Sequence, residues 1–376
     1  MLKENLRAYY RKDLQKVYGK FNGVILNNVI GDISDLQTYF ESLRKNIFPE
    51  SKILISYYNP LWEPILTLAS KIGLRRKVGV QNWLDQGDLK NILNLSGFEI
   101  ISTQKRFFGI TTITIVKPKY QIANNKQDEI NKYSVSIIIP ARNEEGNIPK
   151  IIPCIPKFGK WQEIIFVEGH STDHTWSAIT NLKFLISNQI PNSKKPIFKR
   201  TIKAYKQTGK GKADATWLGL SKATGDILMI YDADRTVDAK DLPKFYNALA
   251  SGLGEFANGS RLVYPMEKDA MQTLNKIGNQ VFSWLFTWIL GQHFKDTLCG
   301  TKAFFKKDYL KFKRSGTDPF GDFDLIFGAI RNNLKVVEIP VRYKERVYGS
   351  TNINRFRHGL LLVKMVLLAF KEFKFL

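Results

Sequence analysis

The sequence contains little cysteine, little histidine and no long apolar run. Its two cysteines, Cys154 and Cys299, lie far apart in 376 residues, which predicts a reducing compartment and no disulfide framework. The four histidines do not group with the cysteines, so we expect no zinc site. No run approaches the ~20 apolar residues of a membrane-spanning helix, and the first residues lack the apolar core of a signal peptide. We therefore expect a cytoplasmic protein.

Acidic residues are also scarce relative to basic ones. The chain has 57 Lys and Arg against 34 Asp and Glu, a formal net charge of +23. Such an excess favours nucleic acid, nucleotide substrates or an anionic membrane surface as partners. We find no zinc-finger spacing, RNA-binding aromatic signature or helix-turn-helix pattern, so nucleic acid is the least favoured of the three. The length allows two domains.

The first part of the chain alternates strand-like and helix-like segments. Predicted strands cover 24–26 and 52–58, predicted helices cover 35–47, 61–72 and 88–95, and a terminal hairpin joins 98–101 to 112–116. The segments 24–32, 81–84 and 97–99 resemble the second half of a Rossmann-type S-adenosylmethionine-dependent methyltransferase. The resemblance omits the glycine-rich turn and the ribose-binding acid. We therefore expect residues 1–120 to form a truncated, non-catalytic or docking domain, with methyl transfer as the minor alternative. The polar residues 121–132 are the predicted linker.

From Tyr133 onward, strand and helix patterns alternate again, which predicts a mostly parallel sheet. Its central strand follows Gly225 and ends in Asp232-Ala233-Asp234. A short apolar run ending in acids is typical of a buried parallel strand whose end points into a cleft. Two such carboxylates can bind Mg²⁺ or Mn²⁺, which shares its oxygen ligands with substrate phosphates. Solvated loop acids or a helix cap are the alternative.

Three further motifs surround this strand in the sequence. Residues 135–145 predict a buried strand broken by Pro140 and followed by a polar turn, and residues 163–175 predict a second strand ending in acids and hydroxyls. Residues 206–213 form a basic, glycine-containing loop that leads into a helix. Lysine charge, backbone amides and a helix N-terminus together suit a diphosphate.

These four motifs, in this order, resemble glycosyltransferase family 2, whose GT-A-fold members use nucleotide-sugar donors. The resemblance implies an α/β fold with a Rossmann-like, mostly parallel sheet over residues 133–353. It also implies a donor site. In that site the nucleoside would contact Pro140, Arg142 and Glu144, with Glu168 and Gly169 beside the base and ribose. The diphosphate would lie near Lys210 and Lys212, the metal would be bound by Asp232 and Asp234 with Ala233 between them, and Arg261 would lie on the donor side. Many members have two acids where this chain has Glu168-Gly169, so the donor nucleotide stays open.

The acceptor is indicated by residues 343–352, which resemble a loop of the dolichyl- and polyprenyl-phosphate branch. By that resemblance Arg346 would bind a phosphate bidentately, although Asn352 stands where the branch usually has lysine. An ionised lipid phosphate needs no general base, whereas a glycan or lipid hydroxyl does. Candidates for such a base are Asp322, Asp324 and Asp296, with helix capping as their alternative role.

Three functions follow. We favour transfer to a polyprenyl phosphate, and the alternative is transfer to a glycan or lipid hydroxyl. A binding protein without turnover is the third, and the intact Asp232-Ala233-Asp234 argues against it.

Two apolar stretches, 281–290 and 359–370, are too short to span a bilayer but could lie on one. The second is followed by Lys371 and Lys374, as expected for a helix on an anionic membrane. Packing in the core is the alternative for both. We predict an amphipathic C-terminal helix over 354–376 and a peripheral location on the inner face of the membrane.

Overall fold

The computed structural model describes residues 20–75, 81–119, 131–187, 198–264, 273–316, 318, 321–346, 348 and 355–374. They divide into two compact units, with the main division near residue 124. Residues 121–130 of the predicted linker lie outside the described residues, as do Asn352 and residues 347 and 349–351 of its loop. No described helix combines the length and the apolar character that a bilayer crossing requires.

The N-terminal unit is a small α/β structure. Its elements are β1 (Phe21–Asn27), α1 (Leu36–Lys45), β2 (Ile47–Tyr58), α2 (Glu63–Lys71), α3 (Gln86–Leu95), β3 (Phe98–Arg106) and β4 (Thr111–Pro118). The sheet order is β1-β2-β4-β3, with β1 and β2 parallel and β4 antiparallel to both of its neighbours. The predicted terminal hairpin is therefore confirmed. The likeness of this unit to methyltransferases stays a prediction.

The C-terminal unit is larger. Its elements are β5 (Val135–Ala141), α4 (Ile148–Cys154), β6 (Gln162–Glu168), α5 (Thr175–Ser187), β7 (Arg200–Lys206), α6 (Gly211–Lys222), β8 (Ile227–Ile230), α7 (Leu242–Ala250), β9 (Phe256–Ser260), α8 (Thr273–Leu290), β10 (Lys302–Phe305), α9 (Lys306–Tyr309), α10 (Asp322–Arg331), β11 (Val336–Pro340) and α11 (Arg355–Lys374).

The seven-stranded sheet of this unit confirms the predicted α/β fold with a mostly parallel sheet. Its order is β11-β9-β10-β8-β5-β6-β7, and within it β10 runs antiparallel to both neighbours while the other pairs are parallel. All four residues of β8 are buried, as its apolar sequence predicts. The strand with Pro140 continues through Ala141 rather than breaking at the proline. Strands β5, β6 and β8 consequently end at one edge of the sheet.

Helix α6 packs closely on the sheet because it carries Gly219. A Cβ at this position would collide with the side chain of Ile138 on β5. The missing side chain lets the helix approach the strands. This close approach brings the first turn of α6, with Lys212, to the edge where the parallel strands end.

Candidate active site

The loops that follow β5, β6 and β8 share an unusual backbone conformation. Asn143, His170 and Arg235 have φ angles of 56°, 57° and 58°, in the left-handed region that non-glycine residues rarely adopt. Each such residue costs of order ~1 kcal/mol or more, and they cluster at functional sites. In open α/β sheets ligands bind outside the ends of the parallel strands. The strained loops therefore mark the edge at which a site is expected.

The loops after β5 and β6 brace one another. Thr172 donates its backbone N–H to Asn143 Oδ1 at 2.8 Å, and Asn143 donates its own to Ser171 Oγ at 3.1 Å. These two hydrogen bonds hold the strained loops against each other.

Asp232 and Asp234 stand directly beyond β8. Asp232 Oδ1 lies 2.6 Å from Lys212 Nζ, with both side chains about one-third exposed. Asp234 Oδ1 accepts hydrogen bonds from the backbone N–H and the hydroxyl of Thr236, at 3.1 and 2.9 Å, which is the geometry of an Asx turn. That turn orients Asp234 beside Asp232 while leaving its Oδ2 without a hydrogen-bond partner among the described residues.

Gly300 closes this pocket from the side of β10. A Cβ there would overlap both the Asp232 carboxylate and the Lys212 ammonium, so any larger residue would displace them. Burial alone would raise the pKa of Asp232, but Lys212, followed by Lys302 and Arg261, holds the pKa of that carboxyl below its ordinary value. Asp232 is therefore anionic at neutral pH.

Lys302, at the start of β10, is the most deeply buried cation of the site. It is fully buried and donates from Nζ to Asp322 Oδ1 at 2.8 Å and to the carbonyl of Cys299. Sequence analysis did not single out this residue. A lysine opening an otherwise apolar strand is the signal that could have identified it, because lysine is almost never fully buried unless paired.

Asp322 is held by Lys302 and does not cap α10. Asp318 performs that function, since its Oδ2 accepts from the backbone N–H of Phe323 at 2.7 Å and of Asp324 at 3.1 Å. Asp324 is itself buried and accepts from the backbone N–H of Ser315 at 3.0 Å. Both acids thus already have a partner.

Asp296 forms a bidentate pair with Arg261. The Nε–Oδ2 and Nη2–Oδ1 distances are 2.7 and 2.8 Å, and the ring of Tyr343 lies 5.1 Å from the guanidinium. Burial would raise the pKa of Asp296, but Arg261 keeps it below its ordinary value. Arg261 is therefore directed at Asp296, and its donor-side role stays a prediction.

Glu144 and Arg346 are also paired, although 202 residues separate them. Glu144 is buried and accepts from Asn147 Nδ2 at 2.7 Å. Burial raises the pKa of Glu144, while Asn147 and Arg346 act in the opposite direction. Arg346 also donates from Nε to the carbonyl of Tyr348 in its own loop, at 3.0 Å. Because Arg346 is paired with Glu144, the loop after β11 lies against the loop after β5.

The remaining predicted donor-site residues lie along the same edge. Pro140 and Ala233 belong to or follow the strand ends, Arg142 and Lys210 are exposed, and Glu168 accepts from the backbone of Ser171. Gly169 donates its N–H to the Ala141 carbonyl at 2.9 Å. Lys210 precedes the first residue of α6 without capping it. The structure thus places these residues at the ends of the parallel strands or in the loops that follow them, and their roles stay a prediction.

The donor set fits a divalent cation that shares its ligands with a phosphate. Among the residues that the structure describes, no three His, Cys, Asp or Glu side chains converge on one point, so an all-protein cage is not available there. Asp232 and Asp234 supply carboxylate oxygens, the hard ligands that Mg²⁺ and Mn²⁺ prefer. Two carboxylates beside a basic helix N-terminus are what a metal–diphosphate unit requires.

Comparison with known proteins matches residues 136–312 to the model of glycosyl transferase family 2. The UDP-N-acetylglucosamine–dolichyl-phosphate N-acetylglucosaminyltransferase of Methanococcus voltae is 26% identical over 246 residues, 61% of this chain and 96% of that protein. The polyprenol monophosphomannose synthase of Mycolicibacterium smegmatis is 26% identical over 58% of this chain and 80% of its own. Glucosyl-3-phosphoglycerate synthase from Mycobacterium tuberculosis aligns structurally with a TM-score of 0.42, at 16% identity over 64% of this chain and 79% of that one.

Proposed function

The chain belongs to glycosyl transferase family 2 through residues 136–312, and from this premise we propose that it transfers a sugar from a nucleotide-diphosphate sugar to a polyprenyl phosphate. It is a glycosyltransferase with a mostly parallel α/β core. The choice of a lipid phosphate as acceptor depends on one observation, which concerns the acids around the cleft.

That observation is the engagement of all three candidate bases. Asp296 is bound bidentately by Arg261, Asp322 is paired with the buried Lys302, and Asp324 accepts from the Ser315 backbone. A hydroxyl acceptor needs a carboxylate free to take its proton. A phosphate monoester is already ionised near neutral pH and needs none. All three residues are also buried, and this burial together with their partners favours a phosphate acceptor over a hydroxyl.

The position of Arg346 supports the same acceptor. Its loop lies beside the Asp234 turn, since the Lys344 N–H donates to the Thr236 carbonyl at 2.8 Å. Arg346 is paired with Glu144 in this structure, so the acceptor phosphate would compete with Glu144 for a guanidinium that can bind two phosphate oxygens at once. Relatives at 26% identity carry dolichyl-phosphate and polyprenol-phosphate names, which agrees with this acceptor chemistry.

We assign the donor diphosphate to the mouth of α6. Lys212 on its first turn and Lys210 just before it provide positive charge, and the backbone N–H groups at a helix N-terminus suit a phosphate. Asp232 and Asp234 would hold Mg²⁺ or Mn²⁺ there. When bound, such a cation neutralises charge on the departing nucleoside diphosphate.

In the reaction an oxygen of the acceptor phosphate attacks the anomeric carbon, and the bond from that carbon to the diphosphate oxygen breaks. No proton has to leave the acceptor. The work of the protein is to orient the two anions and to offset their repulsion, and we assign this task to Lys212 and Arg346. One preorganised charge of this kind contributes about 3 kcal/mol.

A lipid acceptor implies a membrane location. We propose that the protein acts as a peripheral protein on the inner, cytoplasmic face of the membrane, which the net charge of +23 favours through attraction to anionic lipid.

The test is a transfer assay with UDP- and GDP-sugars, Mg²⁺ or Mn²⁺, and a short polyprenyl phosphate. The matched control is the polyprenol with a free hydroxyl. We expect metal-dependent transfer to the phosphate and none to the alcohol. Donor hydrolysis that ignores the lipid phosphate, or transfer to the alcohol, would instead support the hydroxyl acceptor.

A further inference from the structure

Helix α8 has two different sides. Phe286, Ile289 and Leu290 are buried in the core, whereas Val281, Trp284 and Trp288 are 52%, 68% and 52% exposed. The spacing of three and four residues places the exposed three along one side of the helix. The predicted packing of this stretch in the core is therefore confirmed for one side of the helix. The other side is apolar and is exposed in the described part of the structure.

Helix α11 repeats this division. Leu362, Met365 and Ala369 are buried, and the opposite side exposes Leu360, Val363 and Leu367. Lys364, Lys371 and Lys374 are exposed as well. The outward side is thus apolar in its first half and basic toward the C-terminal end.

The two helices pack together, so their exposed rows belong to one surface. Trp288 stacks on Phe370 with ring centroids 5.7 Å apart, and Lys374 Nζ lies 5.4 Å from the centroid of Trp288. We call this surface the α8/α11 face and define it by its six exposed apolar residues, Val281, Trp284, Trp288, Leu360, Val363 and Leu367.

The buried side of α8 packs next to the candidate active site. On the buried side of α8, Phe286 packs on Phe323 with centroids 5.3 Å apart, and Phe323 follows Asp322 directly. The loop that leaves α8 carries Asp296, and α11 follows the loop of Arg346. The helices that expose the apolar face are therefore next in sequence to the segments that carry Asp296 and Arg346.

We propose that the α8/α11 face docks on an anionic bilayer surface and that the lipid-phosphate acceptor enters the cleft from there. Exposed tryptophan and leucine side chains beside lysines match the interfacial region of a bilayer, where aromatic rings sit at headgroup level and lysines contact anionic lipid. The proposal rests on the proposed function for the identity of the acceptor. Docking itself depends only on the surface.

The first test is flotation of the full chain with vesicles of phosphatidylcholine, with and without phosphatidylglycerol. Leu360→Ser is compared with Leu310→Ser, because the two leucines are 73% and 72% exposed and only Leu360 lies on the face. We expect the partition coefficient of Leu360→Ser to fall roughly tenfold, since an inserted leucine contributes most of its transfer free energy. Leu310→Ser should bind as the parent does. Equal binding of the two variants overturns the proposal.

Trp284→Ser and Lys371→Gln separate the two contributions. The first should weaken binding at every salt concentration, and the second only at low salt and only with phosphatidylglycerol. A parent protein that does not float at low salt contradicts the proposal. So does a concentration-dependent dimer in light scattering that Leu360→Ser dissociates, because the face would then be an interface between copies.

A second exposed apolar row lies in the N-terminal unit on α2, where Ile65 and Leu68 are both 57% exposed. Leu68→Ser therefore accompanies the series. Loss of flotation in Leu68→Ser but not in Leu360→Ser would assign membrane binding to α2 and refute the docking surface proposed.

The activity assay keeps this proposal distinct from the proposed function. With a short acceptor in detergent, Leu360→Ser should transfer sugar at the parent rate, and with the acceptor in vesicles it should be several-fold slower. Vesicle flotation without any transfer would leave the docking surface standing and remove the proposed function. If parent and variant transfer sugar equally fast, both in detergent and from vesicles, the docking surface is refuted and the proposed function stands.

Discussion

In the seven-stranded sheet, a carboxylate–lysine ion pair lies both where the parallel strands begin and where they end, and the two pairs have different surroundings. Where the parallel strands begin, Glu163 lies 2.6 Å from Lys203 and also accepts from Ser136 and Thr224. Where they end, Asp232 lies 2.6 Å from Lys212. The Glu163 side chain is 1% exposed and that of Asp232 is 28% exposed. The two carboxylate–lysine distances are thus equal, whereas the solvent exposure of the two carboxylates differs.

The backbone conformation also differs between the two ends of the parallel strands. Three of the four described non-glycine residues of this unit with positive φ follow β5, β6 and β8, and the fourth, Asn333, lies elsewhere. Around Glu163 the polar groups bond to one another in ordinary conformations. The two lysines are about equally exposed, so the difference lies in the carboxylates. The buried, saturated carboxylate of Glu163 stabilises the fold, whereas the accessible carboxylate of Asp232 among strained loops is available to a ligand. Access to the carboxylate and backbone strain, rather than pairing, therefore identify the site.

The largest expected effect comes from breaking the accessible pair. Asp232→Asn should lower kcat by about 10²–10³-fold, the usual loss for one preorganised catalytic charge, and should weaken Mn²⁺ binding in electron paramagnetic resonance titrations. Its thermal unfolding should stay near that of the parent.

Glu163→Gln is the matched control at the other edge. We expect it to lower the free energy of unfolding by about 2 kcal/mol while KM and kcat of the folded fraction stay unchanged. A variant pair with the opposite pattern would show that the two edges have been assigned the wrong way round.

The Asp296–Arg261 pair sharpens the comparison through pH. Asp296→Asn should destabilise the protein by about 3 kcal/mol at neutral pH, because it leaves a buried guanidinium unpaired. Since the folded-state pKa of Asp296 is lowered, the stability that the parent gains is fully present above the ordinary carboxyl pKa and is lost as pH falls through the folded value. Urea unfolding should therefore show a constant difference from pH 8 to about pH 5 and a shrinking one below about pH 4. If the stability difference between parent and variant instead grew as the pH fell, Asp296 would not be stabilised as an anion by Arg261.

Asp322→Asn tests whether an acid near the cleft acts as a base. If the acceptor is a phosphate, the variant should lose stability through the unpaired Lys302, by about 3 kcal/mol, and keep the parent's pH dependence of kcat. Disappearance of an acidic limb from the pH–rate profile, with kcat down about 100-fold, would identify Asp322 as a general base.

The smallest expected effect concerns Arg346. Arg346→Gln should raise KM for the lipid phosphate about tenfold, the loss of one charge-assisted contact, and leave KM for the nucleotide sugar unchanged. Arg331→Gln, which removes a surface arginine paired with Glu372, is the control. A rise in KM for the nucleotide sugar without a rise for the lipid phosphate would place Arg346 at the donor instead.

Much of the fold could be predicted from the sequence because it follows from local pattern. The apolar run before Asp232 specifies a buried strand, and its end places Asp232 and Asp234 at the cleft. The hairpin 98–118 and the mostly parallel sheet follow from the same periodicity. The basic loop before Ala213 likewise placed Lys210 and Lys212 at a helix start.

The partners of the charged groups could not be predicted. Glu144 meets Arg346 across 202 residues, and Lys302 finds Asp322 across 20. Such pairings depend on which strand ends are neighbours, and strand order is not written in any single segment. The capping of α10 by Asp318 rather than Asp322 shows the same limit at short range, because several acids near a helix start compete for the role. The domain boundaries, including the linker, stay a prediction.

The central claim is that the sugar acceptor is an ionised lipid phosphate, so that no general base is needed. The most direct measurement is a competition in which equal amounts of polyprenyl phosphate and polyprenol share one nucleotide-sugar donor, with products resolved by mass spectrometry. We predict that the phosphate alone becomes glycosylated, in a metal-dependent reaction whose rate is flat above the second pKa of the phosphate, near pH 6. Glycosylation of the alcohol, with a rate that follows the titration of a carboxylate, would contradict the account.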